Sequence, residues 1–216
     1  MITVDVMGSR KEWLRARTSH IGGSDAAAII GQNPWMTNVE LWEIKTGRRK
    51  QPDISDAEAV RYGTEAERHL RDLFRLDFPD LEVGYDENNI WTNDQYPWAH
   101  ASLDGLLKDR TGAIGILEIK TTTIRSRSGW DKWDGQIPQN YYCQILHYLA
   151  VTGAEFAVLK AQIKYTKDDT PAAAIRHYFF RREDHEDDIA FLMEKEREFY
   201  EQIKTDTRPA LILPEV

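Results

Sequence analysis

The segment at residues 114–120 reads IGILEIK and constrains the fold more than any other part of the chain. Its apolar residues predict a strand bound for the interior, yet its end carries the acid Glu118 and the base Lys120. Side chains alternate between the two faces of a strand, so Glu118 and Lys120 share one face. Such a pair is ordinary where a strand runs out into solvent. A second acid on the same face would instead indicate a site.

A second apolar run, SLDGLLKD, precedes this strand and contains Asp104 followed by Gly105. The turn signal KDRTG separates the two runs and predicts a β-hairpin. Pairing across that hairpin places Asp104 close to Glu118. Two carboxylates that converge inside a sheet repel each other, and a divalent cation with oxygen ligands, Mg²⁺ or Mn²⁺, offsets the free energy of burying them. The alternative for Asp104 is an ordinary turn aspartate before glycine.

The order of elements predicts an α/β fold: a single domain with a central mixed sheet flanked by helices. At 216 residues the chain fits one domain with a substantial core, and no linker divides it. Caps and periodicity predict helices at 9–17, 37–46, 56–78 and 138–152, a short helix with Ser24 or Asp25 as N-cap, and a last helix ending near 204. Strands are predicted at 82–91, 98–108, 113–121, 156–165 and 173–180.

Composition excludes several kinds of site. The single cysteine, Cys143, rules out an internal disulfide and any four-cysteine zinc or iron–sulfur site. The net charge of −8 argues against a simple basic coat for nucleic acid.

No nucleotide-binding glycine motif and no HExxH spacing occur, and His100 and His147 are expected to support a site rather than bind zinc. No signal peptide or membrane span is visible, so a soluble cytoplasmic protein is expected.

Two predicted helices each offer one more polar residue to the same site. Glu67 falls within the apolar stripe of Leu70 and Phe74, whereas Glu65 falls on the opposite face. A carboxylate on a buried stripe needs a partner, and the alternative to a metal is Arg68, Arg71 or another basic residue at the margin of the helix. Gln144, on the helix after Pro138, is placed to bond a phosphate, a metal-bound water or a buried backbone group.

Near the N-terminus, Arg17 stands seven residues before Ser24 in the segment RTSHIGGS. If Ser24 opens a helix, its hydroxyl and the charge of Arg17 form an anion site that suits a terminal phosphate. A plain N-cap serine and a surface arginine are the alternative.

Taken in order, these blocks resemble a known family. Asp104 with the EIK of residues 118–120 resembles the D…ExK core of the PD-(D/E)XK nuclease superfamily, with Leu103 in place of the usual proline. Over residues 10–165 the chain resembles phage-type exonucleases related to lambda exonuclease, grouped as YqaJ-like viral recombinases. The blocks that carry this likeness are R-x6-S at 17–24, GQNPWMTNVELWEIKTG at 31–47, YGTEAE, SLDG, LEIKTT and YYCQILHYLAVTG. The last fifty residues resemble the family poorly.

The resemblance implies that residues 1–216 form one phage-type exonuclease domain that degrades one strand of linear double-stranded DNA in the 5′-to-3′ direction. It implies release of 5′-mononucleotides and a role in recombination by single-strand annealing. In the implied site, Asp104, Glu118 and the Ile119 carbonyl bind Mg²⁺, which Mn²⁺ can replace, and Glu67 completes the acidic cluster. Lys120 orients and activates the attacking water, and Gln144 supports that water or the scissile phosphate. Arg17 and Ser24 receive the 5′-phosphate. A ring-shaped homotrimer, an annealing protein as partner and a bacterial host cytoplasm, with phage or prophage origin, are also implied.

Two other functions stay open on the sequence. A structure-specific or restriction-type endonuclease uses the same core, and a closed circular duplex survives only an obligate exonuclease. A catalytically silent DNA-end-binding or protein-binding module is the other alternative. The intact Asp104, Glu118 and Lys120 favour an enzyme, since a silent copy need keep none of them.

Overall fold

The computed structural model describes residues 1–214. The strands are β1 (Ile2–Val6), β2 (Ile21–Gly22), β3 (Glu82–Gly84), β4 (Asn89–Asn93), β5 (Ala99–His100), β6 (Gly105–Lys108), β7 (Ile114–Thr123), β8 (Phe156–Lys167) and β9 (Thr170–Arg181). The helices are α1 (Arg10–Thr18), α2 (Gly23–Ile29), α3 (Asn38–Lys45), α4 (Glu58–Asp77), α5 (Arg127–Asp131), α6 (Gln139–Thr152) and α7 (Glu186–Lys204). Within residues 1–214, no helix has both the length and the apolar character required to cross a membrane.

Five strands form the central sheet in the order β3-β6-β7-β8-β9. Only β7 and β8 run parallel, and the other neighbours are antiparallel. A parallel pair needs a crossover connection, and α6 lies on the one between β7 and β8. The predicted mixed sheet flanked by helices is therefore confirmed. Two short pairs, β1 with β4 and β2 with β5, lie outside it.

Each face of the sheet has its own apolar core. On one face Leu117 and Ile119 of β7 pack with Leu70 and Phe74 of α4. On the other, Ile116 joins the larger core formed with α2, α6 and α7. Burying one such side chain contributes roughly 1.5–3 kcal/mol. A slip of one residue in β7 would exchange the two faces, so this packing fixes the face on which Glu118 lies.

The central sheet has a notch beside β7. Strand β6 begins at Gly105, which pairs with Leu117, and the preceding residue Asp104 therefore lies across from Glu118. The predicted hairpin is confirmed. Beyond this point residues 118–123 of β7 pair with β8 alone. Their other edge is open, and the fold leaves room there for a site between α4 and α6.

The predicted strands at 82–91 and 98–108 are wrong in their length, since each divides in two. The cause is Asn89, whose buried side chain accepts from the Leu103 amide at 2.8 Å and donates to the Leu103 carbonyl at 2.9 Å. The two segments still pair through β3 with β6 and through a single bridge between Trp91 and Ala101, and the Asn89 bonds stand in for the ladder between these points. On its other side β4 pairs with β1. Neither β1, whose residues are all exposed, nor the short helix α5 was predicted.

The predicted N-cap of α2 is also wrong. The helix begins earlier, with Gly22 as its N-cap, because β2 brings the chain to that point in an extended conformation. Asp25 lies at the third helical position and accepts from the Gly22 amide at 3.0 Å. Ser24 is consequently in the first turn rather than at the cap, and its side chain is exposed.

Candidate active site

A cavity of about 960 Å³ opens at the notch beside β7. Its walls come from α1, α2, α4, β7 and α6. It is lined by all the residues that the sequence predicts for the site: Arg17, Ser24, Glu67, Asp104, Glu118, Ile119, Lys120 and Gln144. Residues that are far apart in the sequence therefore meet in one place.

Glu118 is buried and held by two neighbours. The Lys120 ammonium lies 2.6 Å from Glu118 Oε1, and Gln144 Nε2 donates to the same oxygen at 2.8 Å. Gln144 Oε1 accepts from Lys120 Nζ at 2.9 Å, and Gln144 Nε2 also donates to the Tyr148 hydroxyl at 2.9 Å. The ammonium has only donors and the carboxylate only acceptors, so they fix the orientation of the amide between them. Gln144 thereby positions both charged groups.

Asp104 joins this group through the backbone of β7. Its Oδ2 accepts from the Ile119 amide at 2.8 Å. The N–H and C=O of one strand residue point to the same side, so the Ile119 carbonyl also faces the notch. Arg71 of α4 donates to the Asp104 carbonyl at 2.6 Å and holds the turn from the other side.

Glu67 forms an ion pair with an arginine, which is the alternative to a metal that the sequence left open. Arg71 Nη2 lies 2.5 Å from Glu67 Oε1, and the same guanidinium stacks on the Tyr85 ring at 3.4 Å from its centroid. Glu67 still lines the cavity, with 29% of its side chain exposed. Its carboxylate is thus available at the wall, but already engaged by one cation.

The surroundings of three carboxyl groups in the cavity disfavour the ionised form and raise their pKa values. Burial, and then the charge of Asp104, raise the pKa of Glu118 to about 8, against the opposing charge of Lys120. The same two causes raise the pKa of Glu67 to about 7. Burial also raises the pKa of Asp104. A further positive charge at this place would favour the ionised forms.

The converging donors are oxygens, which suits a hard divalent cation. Among the described residues, no three acidic, histidine or cysteine side chains cluster tightly enough to hold a metal by themselves. Asp104, Glu118 and the Ile119 carbonyl can supply part of a coordination shell. Mg²⁺ characteristically binds through one or two carboxylates and keeps several waters, so this donor set fits it. Binding would require the Lys120 ammonium to share Glu118 with the metal.

Arg17 and Ser24 lie on the wall formed by α1 and α2. The Arg17 guanidinium stacks on the Trp13 ring, 4.1 Å from its centroid, and the Trp13 indole donates to Ser102 Oγ at 3.0 Å. Arg17 is therefore held by a fixed platform. Gly23, beside Ser24, allows the close approach of α2 to α6, since a Cβ there would lie 2.5 Å from the Tyr148 ring.

The supporting residues Trp13, Gly23, Arg71 and Tyr148 were not assigned to the site from the sequence. Arginines from both α1 and α4 also reach the cavity, interspersed with acids. The additional arginines are Arg10, Arg68 and Arg75, and the additional acids are Asp72 and Glu87.

The two histidines expected near the site contact protein groups. His147 Nδ1 lies 2.7 Å from Glu196 Oε1, and His147 Nε2 lies 2.9 Å from the His100 carbonyl. Both side chains of the His147–Glu196 pair are fully buried. Burial raises the pKa of Cys143 to about 12, so its thiol is a packing group rather than a nucleophile.

Comparison with known proteins places these features in context. The model of the YqaJ-like viral recombinase domain matches residues 12–155. The uncharacterized protein YqaJ of Bacillus subtilis (strain 168) is 36% identical over 151 residues, which are 68% of this chain and 44% of that protein. The chain thus spans less than half the length of this relative.

Two solved structures share the fold. The alkaline exonuclease LHK-Exo from Laribacter hongkongensis superposes with a TM-score of 0.68 at 19% identity, covering 91% of this chain and 94% of that one. LHK-Exo in complex with dAMP gives a TM-score of 0.61 at 19% identity, covering 92% and 96%. At 19% sequence identity, these two superpositions establish the fold of the chain.

Proposed function

The chain belongs to the family of YqaJ-like viral recombinase domains, and on that basis we propose that it is a Mg²⁺-dependent exonuclease. It degrades one strand of linear double-stranded DNA from the 5′ end and releases 5′-mononucleotides. The observation that carries the proposal is the meeting of Asp104, Glu118 and Lys120 at the notch of the sheet. The fold is that of an alkaline exonuclease whose structure was solved with dAMP, a deoxynucleoside monophosphate.

The residues of the chain divide the chemistry between them. Mg²⁺, when bound, stabilises the charge that develops on the phosphoryl oxygens and lowers the pKa of water. Asp104 and Glu118 would hold it, with the Ile119 carbonyl. Although burial opposes it, the charges of Glu118 and Asp104 raise the pKa of Lys120, which therefore keeps its proton. Lys120 then acts by donating hydrogen bonds that orient the attacking water and the scissile phosphate.

The end of the strand is recognised at the other wall of the cavity. We assign the terminal 5′-phosphate to Arg17 and Ser24, because both line the cavity and the guanidinium is already held by Trp13. A charge-assisted contact of this kind favours a phosphorylated end over a hydroxyl end. As the family resemblance implies, the chain is also proposed to form a homotrimer and to act with a single-strand annealing protein.

Arg17→Ala is expected to abolish a preference for 5′-phosphorylated ends. Loss of one charged hydrogen bond removes about 1.5–3 kcal/mol, or roughly ten- to a hundred-fold in kcat/KM on phosphorylated ends. The measurement is digestion of a linear duplex with and without a 5′-phosphate, beside a closed circular duplex. Arg15→Ala, on the same helix but outside the cavity, is the matched control.

The outcome of this digestion distinguishes an exonuclease from an endonuclease and from a silent binding module. Loss of the phosphorylated strand from its 5′ end, with an intact circle, supports the proposed exonuclease. Cutting of the circle would favour the endonuclease. Binding of DNA ends without cleavage under any divalent cation would favour the silent module. Degradation that starts from the 3′ end would refute the assignment of Arg17 and Ser24.

Without divalent cations, the stability of the protein is expected to fall as the pH rises from about 7 to about 8.5. The raised pKa values of Glu118 and Glu67 mean that the folded state binds more protons than the unfolded chain in this window, and stability then decreases with pH. The histidines with lowered pKa, which are His20, His100 and His177, give a small effect of the opposite sign, because an unfolded imidazole with a pKa of about 6.5 is already mostly neutral above pH 7. The measurement is urea denaturation in EDTA and in Mg²⁺ at both pH values.

Mg²⁺ is expected to raise the free energy of unfolding by about 1.5–3 kcal/mol at ten to a hundred times its Kd. The gain should be larger at the higher pH, because the carboxyl groups then need no deprotonation. The raised pKa of His147 gives a pH effect of the same sign, but Mg²⁺ should not alter that part. Equal Mg²⁺ effects at both pH values would contradict the role of these carboxyl groups.

A further inference from the structure

A second groove adjoins the cavity and has a different composition. It consists of two joined depressions of about 610 Å³ each, which share Arg125 and Tyr165. We call it the basic groove and define it by six residues: Tyr62, Arg125, Arg127, Trp130, Lys164 and Tyr165. It lies across the end of β7 and the turn end of the β8–β9 hairpin.

The basic groove is continuous with the cavity. Thr121 lines the cavity and Thr123, on the same strand, lines the groove, while Ala59 of α4 lines both. Tyr62 precedes Gly63, where a Cβ would lie 3.2 Å from Thr121 Oγ1, so α4 and β7 touch at the junction. At a strand rise of about 3.3 Å per residue, Thr123 is roughly 10 Å beyond Lys120.

The cations of the groove have no acidic partners. Within residues 1–214, Arg125, Arg127 and Lys164 form no ion pair, whereas four other arginines each pair with a carboxylate: Arg48, Arg75, Arg182 and Arg197. Lys164 Nζ lies 3.5 Å above the centroid of the Tyr62 ring. Glu58 is the one acid of the described residues that lines the groove. Three unpaired cations against one acid, in a chain of net charge −8, favour a polyanion as ligand.

Aromatic rings stand beside these charges. The Trp130 and Tyr165 rings meet edge to face with centroids 5.1 Å apart, and both side chains are partly exposed. Bases of a single strand stack on such rings while cations follow the backbone, and a duplex has no free base faces to offer them. The combination therefore fits single-stranded nucleic acid.

We propose that the basic groove binds, in single-stranded form, the part of the degraded strand that lies 3′ of the scissile phosphate. The proposal rests on the proposed function and on a path of contacts. Gly23, beside the phosphate-binding Ser24, abuts Gln144, and Gln144 bonds Glu118 and Lys120. Strand β7 then leads into the groove. A strand that begins at Ser24 and is cut near Glu118 continues past Thr121 into the groove.

Binding of a short fluorescein-labelled single strand, followed by anisotropy in EDTA, tests the groove without cleavage. Arg125→Ala/Lys164→Ala should lower the slope of log affinity against log salt by about 1.4, because each lost phosphate contact contributes about 0.7. Tyr165→Ala should weaken binding by at least about fivefold. Lys108→Ala/Arg208→Ala makes the same change of charge outside the groove and should leave the slope unchanged. Equal slopes for the two double variants would overturn the proposal.

Photocrosslinking in EDTA identifies the strand. A duplex carries 5-iododeoxyuridine a few nucleotides from the phosphorylated 5′ end, or at the facing position of the complementary strand. Crosslinks to Trp130 or Tyr165 are expected from the first duplex only, and crosslinks from the second alone would refute the strand assignment. If the wild type cleaves linear DNA but the groove variants bind single strands normally, the groove proposal is refuted and the proposed nuclease function is not. If nothing is cleaved but the slope of log affinity against log salt falls in the groove variants, the nuclease function is refuted and the groove still binds single strands.

Discussion

Replacement of Glu118 by glutamine is expected to lower the rate of DNA cleavage by at least ~10³-fold, since a metal contributes several kcal/mol to the transition state. Glutamine keeps the size of the side chain and can still accept a hydrogen bond from Lys120. It removes the charge that a divalent cation requires. The loss should appear in kcat rather than in DNA binding, because Glu118 is buried at the base of the cavity.

A second measurement separates loss of the metal from loss of the fold. In Glu118→Gln, Mg²⁺ should no longer raise the free energy of unfolding, while the circular dichroism spectrum stays that of the wild type. Glu65→Gln is the matched control, because Glu65 lies on the exposed face of α4. Cleavage within tenfold of the wild type, or an unchanged response to Mg²⁺, would contradict the role given to Glu118.

The centre of the site could be predicted from the sequence because its geometry is local. Asp104 and Glu118 belong to one hairpin, and the turn between the two strands sets their register. The strand period then places Lys120 beside Glu118. Gln144 required more, since only the crossover of α6 over the sheet brings it to β7. Its assignment came from the family resemblance rather than from its helix.

Other features depend on contacts between distant segments that carry no periodic signal. Asn89 divides two predicted strands through hydrogen bonds to Leu103, and an asparagine before an apolar residue gives no warning of this. The start of α2 at Gly22 depends on the pairing of β2 with β5. Arg71 bonds the Asp104 carbonyl and Glu67 at once, and the helical pattern marked it only as a neighbour of Glu67.

The pair formed by His147 and Glu196 is the most consequential of the contacts that the sequence does not reveal. His147 lies on α6, one turn after Gln144, and Glu196 lies on α7 in the part of the chain that resembles the family poorly. Both ring nitrogens of His147 face acceptors, Glu196 Oε1 and the His100 carbonyl. The His100 carbonyl can only accept, so Nε2 donates to it, and an ionised Glu196 makes Nδ1 a donor as well, which is the imidazolium form. Although burial lowers it, the charge and hydrogen bond of Glu196 raise the pKa of His147, in agreement.

Glu196→Ala is expected to lower the free energy of unfolding by about 3–5 kcal/mol, because it leaves the fully buried His147 without the carboxylate that Nδ1 bonds. The measurement is urea denaturation near neutral pH. Glu194→Ala, which removes an exposed carboxylate from the same helix, should change stability by no more than about 1 kcal/mol. Glu196→Gln should lie between them, since its amide oxygen still accepts from Nδ1.

A double variant separates a structural role of this pair from a catalytic one. Replacing both residues by leucine removes the charges together, and buried pairs replaced in this way often leave stability unchanged or raised. His147→Leu/Glu196→Leu should thus recover most of the stability lost in Glu196→Ala, and its kcat per folded molecule should equal that of the wild type. A stable double variant with lost cleavage would instead place His147 in the chemistry, through its neighbours Gln144 and Tyr148. The geometry argues against that outcome, because both ring nitrogens are already bonded away from the cavity.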